Sequence, residues 1–536
     1  MAIGRYTSSR ACVKAPRMCP HPLGTTAPSS DTDHPAYESE VFGFVILWCK
    51  EETNRVGEVG LFVPFEKTLI GRGMPGLKAF LRFGRHRPGA APVPTPLEWC
   101  LLDSRLSREQ LDATATAVGI DMVVLGRCPT SVNGVPIAKG ARVTLVEDDV
   151  VFLKDAVLLR VVRRKRVMPA LDHLQEVHPF GKANSFGMVG ESPAMWKLHD
   201  ELALAASRHN HVLLLGETGS GKEAAARAIH YRSARAKKPF CPMNAAAIST
   251  GIFAAEVFGN TANFPSYGMS ARDGLLPAAE DGTVFLDEVG GLSAEDQTKL
   301  FRAMESGEYH KLGESKARRL NATIVAATSS DPELLKEDFR TRFARRVRVP
   351  PVRERREDIV LLLRHLALKE AALYPKEMAR FLERGPDGDM VPRVSAEFVA
   401  ALMHHPLSGN VRDLYNFLLM ALAESRGEWI EVPRELAAAE EARLSRGPAS
   451  KGPSSTAPAS KAPPSKAPPS SEVPSGPAQS EPRRKATREE VVAALEKAGS
   501  VQGAALLLGV PRRTLRNWMA EYGLRAPGET DQPQPY

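Results

Sequence analysis

Val212-Leu213-Leu214-Leu215-Gly216-Glu217-Thr218-Gly219-Ser220-Gly221-Lys222-Glu223 runs from four aliphatic residues through a glycine-punctuated turn to a lysine, and the Ala-rich stretch Ala224–His230 follows at once. The aliphatic run reads as a buried strand and the Ala-rich stretch as a helix. Strand, glycine loop and helix in that order form a phosphate cradle. Glycines let backbone N–H groups curl around an anion, the helix N-terminus adds positive potential, and Lys222 reaches the outer phosphates. Glu223 stands where the general phosphate loop has the Ser or Thr that holds magnesium. A second segment completes the site: Thr283-Val284-Phe285-Leu286-Asp287-Glu288 is an apolar strand that ends in two acids. Asp287 is placed to orient Mg2+ and Glu288 to polarise an attacking water. The pair of segments predicts binding of ATP with Mg2+, with Gly216, Glu217, Thr218, Gly219, Ser220, Gly221, Lys222 and Glu223 around the phosphates.

The strands flanking this loop (Val212–Leu215, Thr283–Leu286, Ile324–Ala327) alternate with helical stretches, which predicts a mostly parallel α/β layer. At 536 residues the chain is long enough for three or four domains. Its 43% hydrophobic and 25% charged residues exclude collagen, a wholly disordered chain and a disulfide scaffold. No run approaches the length of a membrane span. The basic residues near the start (Arg5, Arg10, Lys14, Arg17) precede no apolar stretch, and the six cysteines show no metal or disulfide spacing. A cytoplasmic protein without membrane partners is expected.

Composition divides the chain further. Residues 1–42 are a Ser/Thr/Pro-rich leader, and 43–165 are short Val/Ile/Leu/Phe runs between Gly, Pro and Asn turns, the pattern of an all-β sandwich. Residues 183–350 form the α/β core and 351–443 a helical lid with a following helix. Residues 444–485 are a Pro/Ser-rich linker: Gly447–Pro482 holds 10 Pro and 9 Ser, with SKAPP twice in succession. Such a segment builds no core and favours extended polyproline II. Residues 486–525 read as a small helical domain, and 483–525 set nine basic side chains against four acidic ones. That balance suits either a phosphate-backbone contact or a solvated helix face.

Residues 188–430 resemble the AAA+ ATPase domain of bacterial sigma-54-dependent transcription activators. The resemblance is carried by Val189-Gly190-Glu191-Ser192-Pro193, the glycine loop with Glu223, Arg227-Ala228-Ile229-His230, Asn244-Ala245-Ala246, Val257-Phe258-Gly259, Thr283–Glu288, Val325–Thr328, Pro350–Arg355 and Gly409–Leu414. That family itself has Glu after the phosphate-loop Lys. The resemblance implies a homo-oligomeric ring, a hexamer on the family's pattern, with ATP between subunits. It implies that Asn244 is a switch residue holding Glu288, that Thr328 and Arg412 are the two sensors, and that Arg340 and Arg346 are fingers inserted into the neighbouring site. Ser329 stands where the family usually has Asn. The run Arg340–Arg348 also reads as a basic surface stretch, since Arg342, Arg345 and Arg348 crowd it.

One departure concerns the output. In the family a loop after L-F-G carries GAFTGA, which touches sigma-54 RNA polymerase. Here Val257-Phe258-Gly259 is followed by Asn260-Thr261-Ala262-Asn263-Phe264-Pro265-Ser266-Tyr267-Gly268. Aligned on the aromatic, only Phe264 survives; aligned without a gap, Ser266 keeps a hydroxyl and Pro265 replaces the Phe. The two ends also carry resemblances. Gly71-Arg72, Ser107-Arg108 and Asn133-Gly134 resemble the loops of a forkhead-associated (FHA) domain, a reader of phosphothreonine proteins, which implies that Arg72, Ser107, Arg108 and Asn133 hold the phosphopeptide. Gln110 replaces that family's His, and Cys128-Pro129 replaces its first Asn-Gly pair, so a sandwich used for other protein contacts stays open. Ala504–Leu515 resembles the Fis-type helix-turn-helix, which implies DNA contact through Arg512, Arg513, Thr514, Arg516 and Asn517 at upstream promoter elements. The whole reads as a sigma-54-dependent regulator under FHA control. Two alternatives stand beside it: a DNA-binding regulator that binds ATP without engaging sigma-54, and a phospho-dependent adaptor.

Overall fold

The computed structural model describes residues 40–73, 80–94, 101–174, 177–208, 210–248, 251–264, 266–445 and 487–498, with Leu515, Met519 and Tyr522. Linker residues 446–485, Pro265 and the predicted DNA-contact residues Arg512, Arg513, Thr514, Arg516 and Asn517 lie outside the described residues, while the helix Arg434–Ser445 takes in the first two positions assigned to the linker. The chain divides into two compact units, Met1–Ser450 and Lys451–Tyr536. In the second, Arg488–Ala498 is helical, and Leu515 and Met519 are buried helical residues.

The N-terminal part is two antiparallel sheets. The larger runs Val93–Pro94, Gly84–Arg85, Val59–Leu61, Glu40–Cys49, Val157–Lys165, Val150–Leu153, Thr130–Val132, Val135–Ile137, and the smaller Arg142–Leu145, Ile120–Val124, Leu111–Ala115, Lys67–Ile70. Phe44, Ile46, Leu111, Met122, Val157 and Leu159 meet between them as the sandwich core. Period-two alternation sends Val45, Leu47, Leu158 and Val162 to the other face of the larger sheet. That face is not solvated: it joins one apolar cluster with Ile359, Leu362, Val394 and Val399. A register shift between Ile46 and Trp48 turns Trp48 onto the same face as Leu47, and the Trp48 indole N–H donates to the Val394 carbonyl at 2.8 Å.

The central part is a five-stranded parallel sheet in the order Phe240–Asn244, Thr283–Asp287, Thr323–Thr328, Val212–Leu215, Arg345–Arg348. Leu213, Val284, Leu286, Ile324 and Ala326 feed one apolar layer, while Val212, Leu214, Phe285, Val325 and Ala327 feed the other. Burial on both faces is why these strands read as unbroken aliphatic runs. Pro242, which cannot donate to a ladder, sits on an edge strand. Ser192 caps the helix Pro193–Ala206 by accepting from the Met195 N–H, and Pro193 opens that helix. Beyond the sheet come the helices Ile359–Leu373, Ala396–His404, Val411–Glu424 and Arg434–Ser445. The expected all-helical lid also contains a hairpin, Leu382–Arg384 with Met390–Pro392, turned by Gly385-Pro386-Asp387-Gly388. No described helix is long and apolar enough to cross a membrane.

Candidate nucleotide site

Gly219 and Gly221 have φ of +76° and +107°, the left-handed region that glycine enters without strain. A Cβ on Gly219 would stand 2.2 Å from the Gly409 carbonyl, so this loop position also admits no side chain sterically. Gly221 is the N-cap of Lys222–Arg232 and provides no side-chain cap, which leaves the first N–H groups of that helix facing the loop. The Ser220 hydroxyl is buried without a hydrogen-bond partner. The Lys222 ammonium donates to the Gly216 carbonyl at 2.9 Å and to Glu288 Oε1 at 3.3 Å. Glu223 is exposed and pairs with Arg227 one helical turn on, at 2.8 Å.

Asp287 and Glu288 stand at the C-terminal end of their strand, beside the loop. Glu288 has φ +55°, a conformation that costs a non-glycine residue roughly 1–3 kcal/mol and persists only where surroundings enforce it. The enforcing contacts are clear: Glu288 Oε2 accepts from the Ser329 backbone N–H at 3.0 Å and from the Ser329 hydroxyl at 2.7 Å. Burial works to raise the Glu288 pKa, but the Ser329 donors and Lys222 outweigh it and the net shift is downward. Asp287 moves the opposite way: burial raises it, Lys222 opposes, and the neighbouring Glu288 charge adds to the rise. These two hard carboxylates suit Mg2+ as ligands or orienting groups. They and Lys222, Glu223, Asn244, Ser329 and Arg412 line one cleft of about 1140 Å³, whose apolar wall includes Met188, Val189, Met195, Leu362 and Leu366.

The residues expected as switch, sensor and fingers sit in different surroundings. Asn244 lines the cleft, but its Oδ1 accepts from the Ala246 N–H at 3.0 Å; Glu288 is held from Ser329. Thr328, expected as a sensor, is buried and its hydroxyl accepts from the Ser330 N–H at 3.1 Å, while Ser329 and Ser330 line the cleft. Arg340 and Arg346 lie together, with Arg346 Nη2 3.5 Å from the Arg340 carbonyl, and neither lines the chain's own cleft. Two residues of the family-like segments, Asn410 and Arg355, gain roles that their local sequence does not suggest. Asn410, fully buried, donates to Glu217 Oε2 and the Thr218 carbonyl, both at 3.1 Å, and accepts from Val352 N–H at 2.7 Å. Arg355 donates to the Ser220 carbonyl at 3.0 Å. The lid therefore grips the phosphate loop by its backbone. A buried carboxamide must spend its donors and acceptor somewhere, but the burial of Asn410 is not written in its local sequence.

The family model for the sigma-54 interaction domain matches residues 188–353, that for the AAA+ ATPase lid domain matches 353–448, and that for the Fis family of bacterial regulatory proteins matches 483–522. Residues 188–353 are a sigma-54 interaction domain. The sigma-54 interaction domain is thus an AAA+ domain followed by its lid, and a Fis-type helix-turn-helix closes the matched order. The chain is 34% identical over 364 residues to the Nif-specific regulatory protein of Bradyrhizobium diazoefficiens, covering 63% of this chain and 60% of that protein. It is 35% identical over 280 residues to the transcriptional regulatory protein ZraR of Escherichia coli, covering 50% and 60%. The match therefore spans about 60% of those relatives' length. Among solved structures, NtrX from Brucella abortus in complex with ADP aligns at 22% identity over 64% of this chain and 70% of that one, with a TM-score of 0.41.

The loop after Val257-Phe258-Gly259 is closed at its neck by Gly259 and Gly274, both at positive φ, whose backbones are too close for any Cβ. Asn260, fully buried, donates to the carbonyls of Thr261, Phe264 and Ser270 at 3.0–3.1 Å. Phe264 is 41% exposed and Tyr267 96%.

The four sandwich residues expected to hold a phosphopeptide divide. Arg72 and Arg108 are exposed, and their loops are stitched by Arg72 N–H to Ser107 carbonyl at 3.0 Å. The Ser107 hydroxyl accepts from Arg127 N–H at 2.9 Å, which adds a third exposed arginine beside it. Asn133 does not join them as a free carboxamide: it donates to Asp149 at 2.8 Å and accepts from Val150 N–H at 2.9 Å, and its carbonyl accepts from Arg443 at 2.8 Å. Gln110, in place of the expected His, is fully buried and bonds Cys128 on both its amide and carbonyl sides.

Proposed function

We propose that the chain is a cytoplasmic, DNA-bound transcription regulator that hydrolyses ATP in a homo-oligomeric ring to remodel sigma-54 RNA polymerase. What carries the reading is the convergence of Lys222, Glu288 and Ser329 at the mouth of the glycine loop. The backbone N–H groups of Gly216–Glu223 and the helix N-terminus cradle the phosphates, and Lys222 exchanges Glu288 for the outer phosphate oxygens. Mg2+, oriented by Asp287, supplies charge neutralisation when bound. Glu288 polarises the attacking water and Ser329 aims it; Asn244, at the cleft wall, is the switch residue and Arg412 senses the nucleotide. Arg340 and Arg346, which do not line their own cleft, act on the next subunit's, where an always-charged guanidinium forks onto phosphate. At the C-terminal end Arg512, Arg513, Thr514, Arg516 and Asn517 read DNA. In the sandwich Arg72, Ser107 and Arg108 face a phosphothreonine protein, whose binding sets ring activity.

A second reading is favoured by the loop at Phe264: a DNA-binding ATPase ring that no longer engages sigma-54. Its carboxamide-pinned form around Asn260 is unlike a loop free to extend. One experiment separates the readings. Purified chain is mixed with sigma-54, with and without ADP plus fluoroaluminate. Capture only with the mimic supports the first reading. No capture by protein that still turns over ATP selects the second, and turnover indifferent to Lys222→Ala defeats both.

A further inference from the structure

Four consecutive side chains at the start of the lid reach four different places. Arg355 donates to the Ser220 carbonyl of the phosphate loop at 3.0 Å. Arg356 donates to the carbonyls of Met403 and His405 at 2.6 and 2.9 Å, behind the lid helix Ala396–His404. Glu357 accepts from Arg164 of the sandwich, and Arg160 stands 3.8 Å away. Asp358 accepts from the Glu191 N–H at 2.8 Å and from the Ser192 hydroxyl at 2.6 Å, at the entry to Pro193–Ala206. Arg355, Glu357, Asp358 and Arg164 are all under a tenth exposed. Two successive 3-10 turns, Val352–Glu354 and Arg356–Asp358, run directly into the helix Ile359–Leu373 and leave the segment little freedom.

We propose that Arg164 and Glu357 are positioning residues for the phosphate loop. They act through Arg355, so that this ion pair between sandwich and lid, and not the apolar seam, sets how firmly the loop grips a nucleotide. The physical argument is one of alternatives. A buried ion pair contributes little net stability, because desolvation cancels much of its attraction, yet it fixes a geometry strongly once formed. The apolar seam already holds sandwich to lid through Val45, Leu47, Trp48 and Leu158. What Glu357 adds is register: it fixes the turn that carries Arg355, and Arg355 holds the loop between the N–H groups that must converge on phosphate. The inference rests on reading the Lys222 cleft as a nucleotide site.

The test is titration of the full chain with a fluorescent ADP analogue, with thermal melts to confirm folding. Arg164→Ala weakens binding about 5-fold or more. In an Arg355→Met background the same change shifts affinity less than about 2-fold, because the two act in series. Arg164→Lys, which keeps a cation on Glu357, retains most of the affinity. Trp48→Phe, which removes the seam hydrogen bond to Val394 without touching the turn, leaves affinity unchanged. Should Arg164→Ala fail to fold, the doubly neutral Arg164→Met/Glu357→Gln variant gives the same weakening. Equal weakening by Trp48→Phe, additive effects of Arg164 and Arg355, or unchanged affinity overturns the proposal. A wild-type chain that binds no analogue defeats the nucleotide reading instead.

Discussion

Two regions of the molecule carry glycine-rich loops and basic side chains suited to phosphate, and they are built differently. At the Lys222 cleft the polar groups converge from separate strands: the ammonium meets Glu288 at 3.3 Å, and Glu288 meets the Ser329 hydroxyl at 2.7 Å. At the end of the sandwich, Arg72 and Arg108 present exposed charge beside the Ser107 hydroxyl, but Asn133 is spent on Asp149 and Val150, and its carbonyl on Arg443 of the last lid helix. The cleft holds its groups for a ligand. The sandwich has turned one of its four to its own architecture. A residue in the right order along the chain is therefore not yet a residue available to a ligand.

The sharpest way to break this comparison is at the cleft. Glu288→Gln keeps size and the bonds from Ser329 but cannot hold the negative charge that polarises water. Turnover of ATP should fall about 100-fold or more, with nucleotide binding retained. A variant that hydrolyses at the wild-type rate would show that the convergence at Glu288 is structural, as at Asn133.

The mirror-image test is Asn133→Ala. Removing a carboxamide that satisfies Asp149 and the Val150 N–H leaves both short of a partner and costs about 2 kcal/mol of sandwich stability. Affinity for a phosphothreonine peptide should not change, while Arg72→Ala should lower it. A peptide affinity that falls with Asn133 while stability holds would erase the contrast between the two regions.

How legible each region was follows from the same physics. The phosphate loop is contiguous in sequence and its acids end an aliphatic strand, so spacing alone located Lys222, Asp287 and Glu288. Asn410 and Arg355 act on that loop across 190 and 135 residues or so of chain, as Asn410 to Glu217 and Arg355 to Ser220, and no local pattern announces such a partner. The docking of the sandwich did leave a trace. Val41–Cys49 is buried at every position, so the strand is apolar on both faces, which is the mark of a sheet covered on both sides. The covering layer was the lid, a segment some 350 residues later, and alternation within one strand does not say what covers it.

The smallest effect tests whether Ser329 belongs to the chemistry or only to the fold. Ser329→Ala removes the 2.7 Å hydroxyl bond but leaves the backbone N–H to Glu288 at 3.0 Å. Half of the hold survives, so turnover should fall about 10-fold, the scale of one hydrogen bond to a charged group, with the Michaelis constant for ATP little changed. Burial raises the Glu288 pKa, and of the contacts that pull it down the Ser329 hydroxyl bond is the strongest. Its loss must then raise that pKa. In the proposed mechanism Glu288 acts as the carboxylate, so the acid limb of the pH–rate profile moves to higher pH, and the defect is greatest on the acid side and shrinks as pH rises. Ser329→Thr keeps the hydroxyl and should restore both rate and profile. A uniform loss at every pH, unrelieved by threonine, would mean that Ser329 merely packs the end of its strand, and the cleft would then resemble the sandwich more closely than its geometry suggests.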